Sequence, residues 1–285
     1  VASTMSQEHD ALNASGFSVP ALSINGANWK IVGGESQVLV VTLQPGETVT
    51  CAPGAMLHSH DGVEADAEIG GCWDAMVRTC CAGQEVFRGK YTNKSSKPKS
   101  ITLAPRYTGA KLIAIELGDS YQSSGSQELI IKNGSWTASL GSDTFFGTRL
   151  APSITAGCCA GQGFVLATLR GSGTAFLNGG GTVLETTLAP GQKIILDTSA
   201  LIACEGTVRV GARPAGGIIA MCCGGEGLFV AELEGPGRVF IQSMPVETAA
   251  MEYYKYMPKG MSGATARKLF DDRLLSESAI DLLNS

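Results

Sequence analysis

Charge is scarce in this sequence. Only 16% of its 285 residues are Asp, Glu, Lys or Arg, against about 25% in ordinary globular chains. The 21 basic residues do not outnumber the 26 acidic ones, and the formal net charge is −5. That balance excludes a basic nucleic-acid-binding arm as the organising feature. Histidine is limited to His9, His58 and His60, and aromatics to 6%. No apolar run approaches the ~18 to 20 residues that cross a bilayer, and residues 1–10 lack the hydrophobic stretch of a secretory signal. A soluble protein without a membrane span is expected. The sequence opens at Val1 with a Met only at position 5, as a mature form would after loss of an organelle-targeting peptide. Helical periodicity is not sustained before about residue 247.

Glycine and cysteine are what the chain has instead. The 37 glycines are nearly twice the usual share of ~7%. With 44% hydrophobic residues, the chain can bury a large core and is not disordered over most of its length. Nine cysteines are an odd number, and six of them form the adjacent pairs Cys80/Cys81, Cys158/Cys159 and Cys222/Cys223. Neighbouring cysteines are poorly placed to staple distant parts of a fold, so a reducing compartment is the simpler expectation.

The pairs also expose internal repeats. Cys80-Cys-Ala-Gly-Gln-Glu85, Cys158-Cys-Ala-Gly-Gln-Gly163 and Cys222-Cys-Gly-Gly-Glu-Gly227 match one another. After the second and third, Leu169-Arg-Gly-Ser-Gly-Thr-Ala-Phe-Leu177 aligns with Leu233-Glu-Gly-Pro-Gly-Arg-Val-Phe-Ile241. Each reads as a strand, a tight turn and a strand, with Gly-x-Gly supplying positive φ for a hairpin. Leu43-Gln-Pro-Gly-Glu-Thr-Val49 is echoed by Leu188-Ala-Pro-Gly-Gln-Lys-Ile194, a turn between strands. The pairs lie 78 and then 64 residues apart. Asn93-Lys-Ser-Ser-Lys-Pro-Lys99 has the composition of an exposed loop lengthening a hairpin, which accounts for part of the difference.

Val38-Leu-Val-Val-Thr-Leu43, Lys111 to Leu117, Lys193 to Leu196 and Val208 to Val210 are short, β-branched and bounded by Gly or Pro, as strands are. The expected fold is all-β. Three pseudo-symmetric β-sandwich repeats, at about 26–108, 109–181 and 182–248, share one core around a pseudo-threefold axis. Residues 1–25 read as an extended arm and 249–285 as a tail with a short helix, in which Leu269, Phe270 and Leu274 fall at helical spacing after a cluster of Tyr253, Tyr254 and Tyr256.

His58-Ser-His60 with Glu64 is the pattern by which cupin-like strands point a two-His, one-carboxylate set at iron or manganese. A third imidazole is lacking, since His9 sits in the polar arm. The repeat also sets His58 and His60 against Ala203 and Glu205, so the alternative, two edge histidines, is preferred. Adjacent cysteines on a strand face opposite ways, which does not suit zinc. The glycine runs lack the lysine and helix of a phosphate cradle. Lys90, Lys94, Lys97, Lys99 and Arg106, beside Tyr91 and Tyr107, form the one basic stretch and read as a solvated loop; nucleic acid is not the expected partner. No catalytic residue, metal or cofactor is expected.

The last repeat, Gly224-Gly-Glu-Gly-Leu-Phe-Val with Gly235-Pro-Gly-Arg-Val-Phe-Ile-Gln-Ser-Met244, resembles that of the family named for altered inheritance of mitochondria. The likeness extends through Leu188-Ala-Pro-Gly-Gln and Ile101-Thr-Leu-Ala-Pro-Arg106, over residues 26–248. It implies a TRAP-like fold, related to the tryptophan RNA-binding attenuation protein, and a tendency to assemble. A narrower resemblance is to the pyrenoid shell proteins of diatom chloroplasts. It implies a non-enzymatic sheet of self-associated copies around a Rubisco-containing compartment in the stroma; mitochondrial and cytoplasmic locations are the alternatives. Association is expected through strand edges and through Phe17, Tyr253, Tyr254, Tyr256, Leu269, Phe270 and Leu274. An arm of ~25 residues at ~3.3 Å each could lie across a neighbouring copy. A metalloenzyme built on His58, His60 and Glu64, or a ligand- or RNA-binding ring, are the competing readings.

Overall fold

Alternation of apolar and polar residues sets the strands. In Val38–Leu43, Leu39, Val41 and Leu43 are buried while Val38, Val40 and Thr42 are half-exposed, as a pleated strand with one covered face requires. The computed structural model describes residues 15–20, 26–69, 87–107, 109–118, 128–141, 145–150, 165–214 and 229–256. The chain divides into two units, 1–245 and 246–285.

The first unit is built from strands β1 (Trp29–Val32), β2 (Val38–Leu43), β3 (Thr48–Cys51), β4 (Met56–Ser59), β5 (Val63–Ile69), β6 (Phe87–Asn93) and β7 (Lys99–Leu103). A second set follows as β8 (Ala110–Leu117), β9 (Leu129–Lys132), β10 (Trp136–Leu140), β11 (Phe145–Leu150), β12 (Val165–Arg170) and β13 (Gly173–Gly180). The third is β14 (Val183–Leu188), β15 (Lys193–Asp197), β16 (Leu201–Glu205), β17 (Arg209–Pro214), β18 (Phe229–Glu234) and β19 (Gly237–Gln242). In the second unit, α1 (Val246–Tyr256) carries the tyrosine cluster and has Glu247 in its first turn, where a carboxylate complements the helix dipole.

One pairing scheme recurs three times. The first, sixth and third strands of a repeat are neighbours, as β2-β7-β4, β8-β13-β10 and β14-β19-β16; the second, fifth and fourth form β3-β6-β5, β9-β12-β11 and β15-β18-β17. All ladders are antiparallel. Repeats then join edge to edge, β3 with β10 and β9 with β16, giving two six-stranded sheets that each belong to two repeats. The outer sheets are β1-β2-β7-β4 and β15-β18-β17.

Among the described residues, the buried apolar side chains gather in three clusters, where the sequence suggested a single common core. Leu39, Val41, Leu43, Val49, Ile101 and Leu103 of the first repeat pack with Leu112, Ala138 and Phe176 of the second. Leu129, Ile131, Leu169 and Leu177 pack with Val183, Ala203 and Phe240 of the third. Leu188, Leu201, Leu233 and Val239 take in Ile130 and Leu166 from the second. The reason lies in the shared sheets: each is covered on both faces, so a core forms on either side. Phe176 meets Trp29 edge-on with ring centroids 5.0 Å apart, and full burial of such a ring contributes about 1.5 to 3 kcal/mol.

The connections differ from the expected hairpins. β12 and β13 lie in different sheets, as do β18 and β19 and also β6 and β7, so Gly171–Gly173, Gly235–Gly237 and 94–98 are corners between sheets. The first of these corners needs glycine for closeness: a Cβ on Gly173, at φ +105°, would stand 2.0 Å from the Leu140 carbonyl oxygen. In the longer corner, buried Asn93 donates from Nδ2 to the carbonyls of Leu43 and Lys97 (2.9 and 2.8 Å) and accepts from the Ser95 N–H and hydroxyl. The two Pro-Gly turns form as read, Glu47 N–H donating to Gln44 O and Gln192 N–H to Ala189 O, both at 2.9 Å.

Residues 16–18 of the arm lie along the chain's own β14. Ser18 and Glu185 exchange two backbone hydrogen bonds of 2.7 Å, leaving Phe17 half-buried beside them.

Candidate functional site

The third strand of every repeat contains a bulge at the same place. Register slips between Met56 and His58 in β4, between Trp136 and Ala138 in β10, and between Leu201 and Ala203 in β16. Leu57, Thr137 and Ile202 are the extra residues, each inserting one position against its partner strand. His58, Ala138 and Ala203 then stand opposite Thr102, Phe176 and Phe240, which upholds the pairing of His58 with Ala203 read from the repeats.

The same ladders place the second strands. Cys51 pairs with Ala138 and Ile131 with Ala203. Matching Leu233 to Leu169, their partners Ile194 and Leu129 are equivalent, and so are Ile195 and Ile130, and Leu196 and Ile131.

Equivalent positions do not have equivalent surroundings. Thr137 and Ile202 are 1% and 0% exposed, but Leu57 is 61% exposed. Leu201 is 0% exposed and Met56 41%; Ile130 is 0% exposed and Ile195 52%. All of β4 is exposed, whereas β16 is buried throughout. β4 and β15 each end their sheet, so among the described residues neither has a ladder partner on its outer edge. Strand edges with open N–H and C=O groups and apolar side chains are templates for a further strand.

His58 and His60 sit on or beside β4, ring centroids 6.1 Å apart. His58 Nε2 is 2.9 Å from the Thr102 hydroxyl, and His60 Nδ1 accepts the Ser100 N–H at 3.3 Å. Glu64 belongs to β5 of another sheet, opposite Thr92. Among the described residues no three His, Cys, Asp or Glu side chains gather as a metal-ligating set, so His58, His60 and Glu64 are not brought together.

The charged groups that do converge lie on the third repeat. Glu205, 4% exposed, accepts from Arg238 Nε at 2.8 Å and from its backbone N–H at 3.2 Å. Glu185 lies 3.7 Å from the same guanidinium, which also lies 5.7 Å from the Phe240 ring centre. Burial pushes the Glu185 carboxyl up; Arg238 opposes the rise and Glu205 adds to it. Lys193 of β15 bridges Glu232 and Glu234 at 3.0 and 3.4 Å, and its hydrogen bond to Glu232 raises its pKa. Burial pushes the Cys51 thiol up to about 12. The ion pairs tie neighbouring strands of the third repeat together.

Of the association residues read from sequence, Tyr253 is exposed on α1. Tyr254 and Tyr256 lie in the same helix, and Leu269, Phe270 and Leu274, like the three cysteine pairs, lie outside the described residues. Sequence reasoning missed Leu57 and Ile195; comparing them with Ile202 and Ile130 needed the bulge and the register.

A family model described as mitochondrial biogenesis AIM24 matches residues 29–244. No curated protein matches the chain. Among solved structures, the crystal structure of a protein from Streptococcus pyogenes is similar at 22% identity, covering 80% of this chain and 99% of that one with a TM-score of 0.63. At that identity the likeness bears on the fold.

Proposed function

This chain belongs to the mitochondrial biogenesis AIM24 family, and we propose that it is a non-enzymatic structural protein that associates with its own copies into an extended layer. The observation behind the proposal is the exposure of Leu57, where Thr137 and Ile202 are buried, and of Ile195, where Ile130 is buried and Thr50 half-buried. Burying each would contribute roughly 1.5 to 3 kcal/mol, beyond the backbone hydrogen bonds a new ladder forms. A sparsely charged surface opposes such contacts little.

Sizing and negative-stain imaging of the purified chain test the reading. Large particles or sheets are the expected result; a monomer at tens of micromolar overturns it. Removing residues 261–285 is expected to weaken assembly while the β body stays folded, and unchanged assembly would take Leu269, Phe270 and Leu274 out of the proposal.

We extend the proposal to an organelle. The resemblance to pyrenoid shell proteins favours a layer around Rubisco in the chloroplast, while the family description favours a mitochondrion. Imaging the full-length tagged chain decides between them, and co-purification with Rubisco is expected only in the first case.

A further inference from the structure

We infer that β4 of one copy pairs antiparallel with β15 of a second copy, repeating between molecules the ladder that joins repeats within one. This rests on the self-association proposed above and names its contact. Of the other strands that end the four sheets among the described residues, β1 precedes the six-strand pattern and borders β2, and β5, β8, β11, β14 and β17 are first or fourth strands of their repeats. Only β4 and β15 are a third and a second strand, the two kinds that pair wherever one repeat meets the next.

The internal junctions fix the register. Ala138 opposite Cys51 and Ala203 opposite Ile131 set His58 opposite Leu196. The next pairs are Ser59 with Ile195 and His60 with Ile194. In that register Ile195 takes the place Ile130 has in the third cluster, where it packs with Leu201 and Cys204; their counterparts on β4 are Met56 and Ser59. Ile194 and Leu196, half-exposed here, gain the cover that makes Leu129 and Ile131 0% and 2% exposed.

The outer contact is more polar than the inner ones. His58 and Thr102, already hydrogen-bonded to each other at 2.9 Å, stand where the inner junctions have Ala138 with Phe176 and Ala203 with Phe240. Association through it is therefore weaker than repeat docking and reversible on dilution. Because β4 meets β15 and not another β4, each pairing leaves one edge of either kind free. Such a heterologous contact adds copies without a built-in limit unless its rotation closes a ring.

Blocking one edge at a time tests this in the full chain. Leu57→Lys and Ile195→Lys each place a charge where pairing would bury it, at sites exposed enough in the single copy to leave folding intact. Each variant alone is expected to sediment as one chain of 29.5 kDa. An equimolar mixture is expected to give a species of twice that mass and no larger, since the first variant keeps β15 and the second keeps β4. Either variant assembling like the unaltered chain, or a mixture that stays monomeric, overturns the inference while self-association stands. An unaltered chain that is monomeric overturns the self-association itself. Assembly appearing only after truncation at residue 256 shows the chain's own tail covering an edge, and overturns the inference too. Leu57→Asp and Ile195→Asp repeat the test with the opposite charge should a lysine variant fail to fold.

Discussion

Arg238 and Glu205 are joined twice, through the guanidinium Nε at 2.8 Å and through the backbone N–H at 3.2 Å, so one residue of β19 holds a carboxylate that β16 buries. Replacing Arg238 by Leu keeps the buried carboxylate and removes its strongest partner. A cost of about 1 to 3 kcal/mol is expected, below that of a fully buried pair because the arginine is 40% exposed. Urea unfolding measures it, and Arg238→Leu combined with Glu205→Leu is expected to recover part of the loss.

Glu185 is expected to make the stability depend on pH. Its carboxyl is raised by burial, so the folded chain holds this proton more tightly than the unfolded one. The penalty is absent in acid, where both states are protonated, and complete above the raised folded value. Glu185→Gln is therefore expected to stabilise the chain at pH 7 and to have little effect below the ordinary carboxylate range. Denaturant midpoints at the two pH values report the difference; equal effects at both would contradict it.

Two kinds of glycine respond differently to alanine. At Gly173 a Cβ meets the Leu140 carbonyl oxygen at 2.0 Å, and φ is +105°, whereas at Gly46 φ is +81° with nothing within 4 Å. Gly46→Ala is expected to cost about 1 to 2 kcal/mol from the left-handed backbone alone. Gly173→Ala is expected to cost more than that, because the corner between β12 and β13 has to move. Thermal or urea unfolding ranks them.

Cys51 is 1% exposed and its thiol is pushed up to about 12. At pH 8 almost none of it is the reactive thiolate. Mass-spectrometric mapping after iodoacetamide treatment is expected to find Cys51 unmodified in the folded chain and alkylated in 6 M guanidinium; labelling of the native chain would contradict its burial.

Much of the β architecture is legible in the residues, and the gaps have physical causes. The echo of Leu43-Gln-Pro-Gly in Leu188-Ala-Pro-Gly correctly pairs His58 with Ala203, because matching turns set matching registers in the strands that follow. Gly171-Ser-Gly173 is misread as a hairpin because positive φ and short spacing suit a sheet-to-sheet corner equally; which strand β13 joins is settled by its ladder with β8 and β10, remote in sequence. The bulge at Leu57, Thr137 and Ile202 has no glycine or proline to announce it. Ile195 looks like Ile130 in any local window, and only the neighbour present beside one and missing beside the other separates them. The short tail helix is read from the spacing of Leu269, Phe270 and Leu274, which lie outside the described residues, while α1 (Val246–Tyr256) stands earlier, over the tyrosine cluster.

Sheets held jointly by adjacent repeats make chain length and end chemistry independent. Adding or deleting one six-strand module would lengthen or shorten the molecule by a whole step, yet the termini of the series would still offer one second-type and one third-type strand. If copies join by the proposed pairing of β4 with β15, a shortened or extended paralogue would enter the same series, changing its spacing and not its joints.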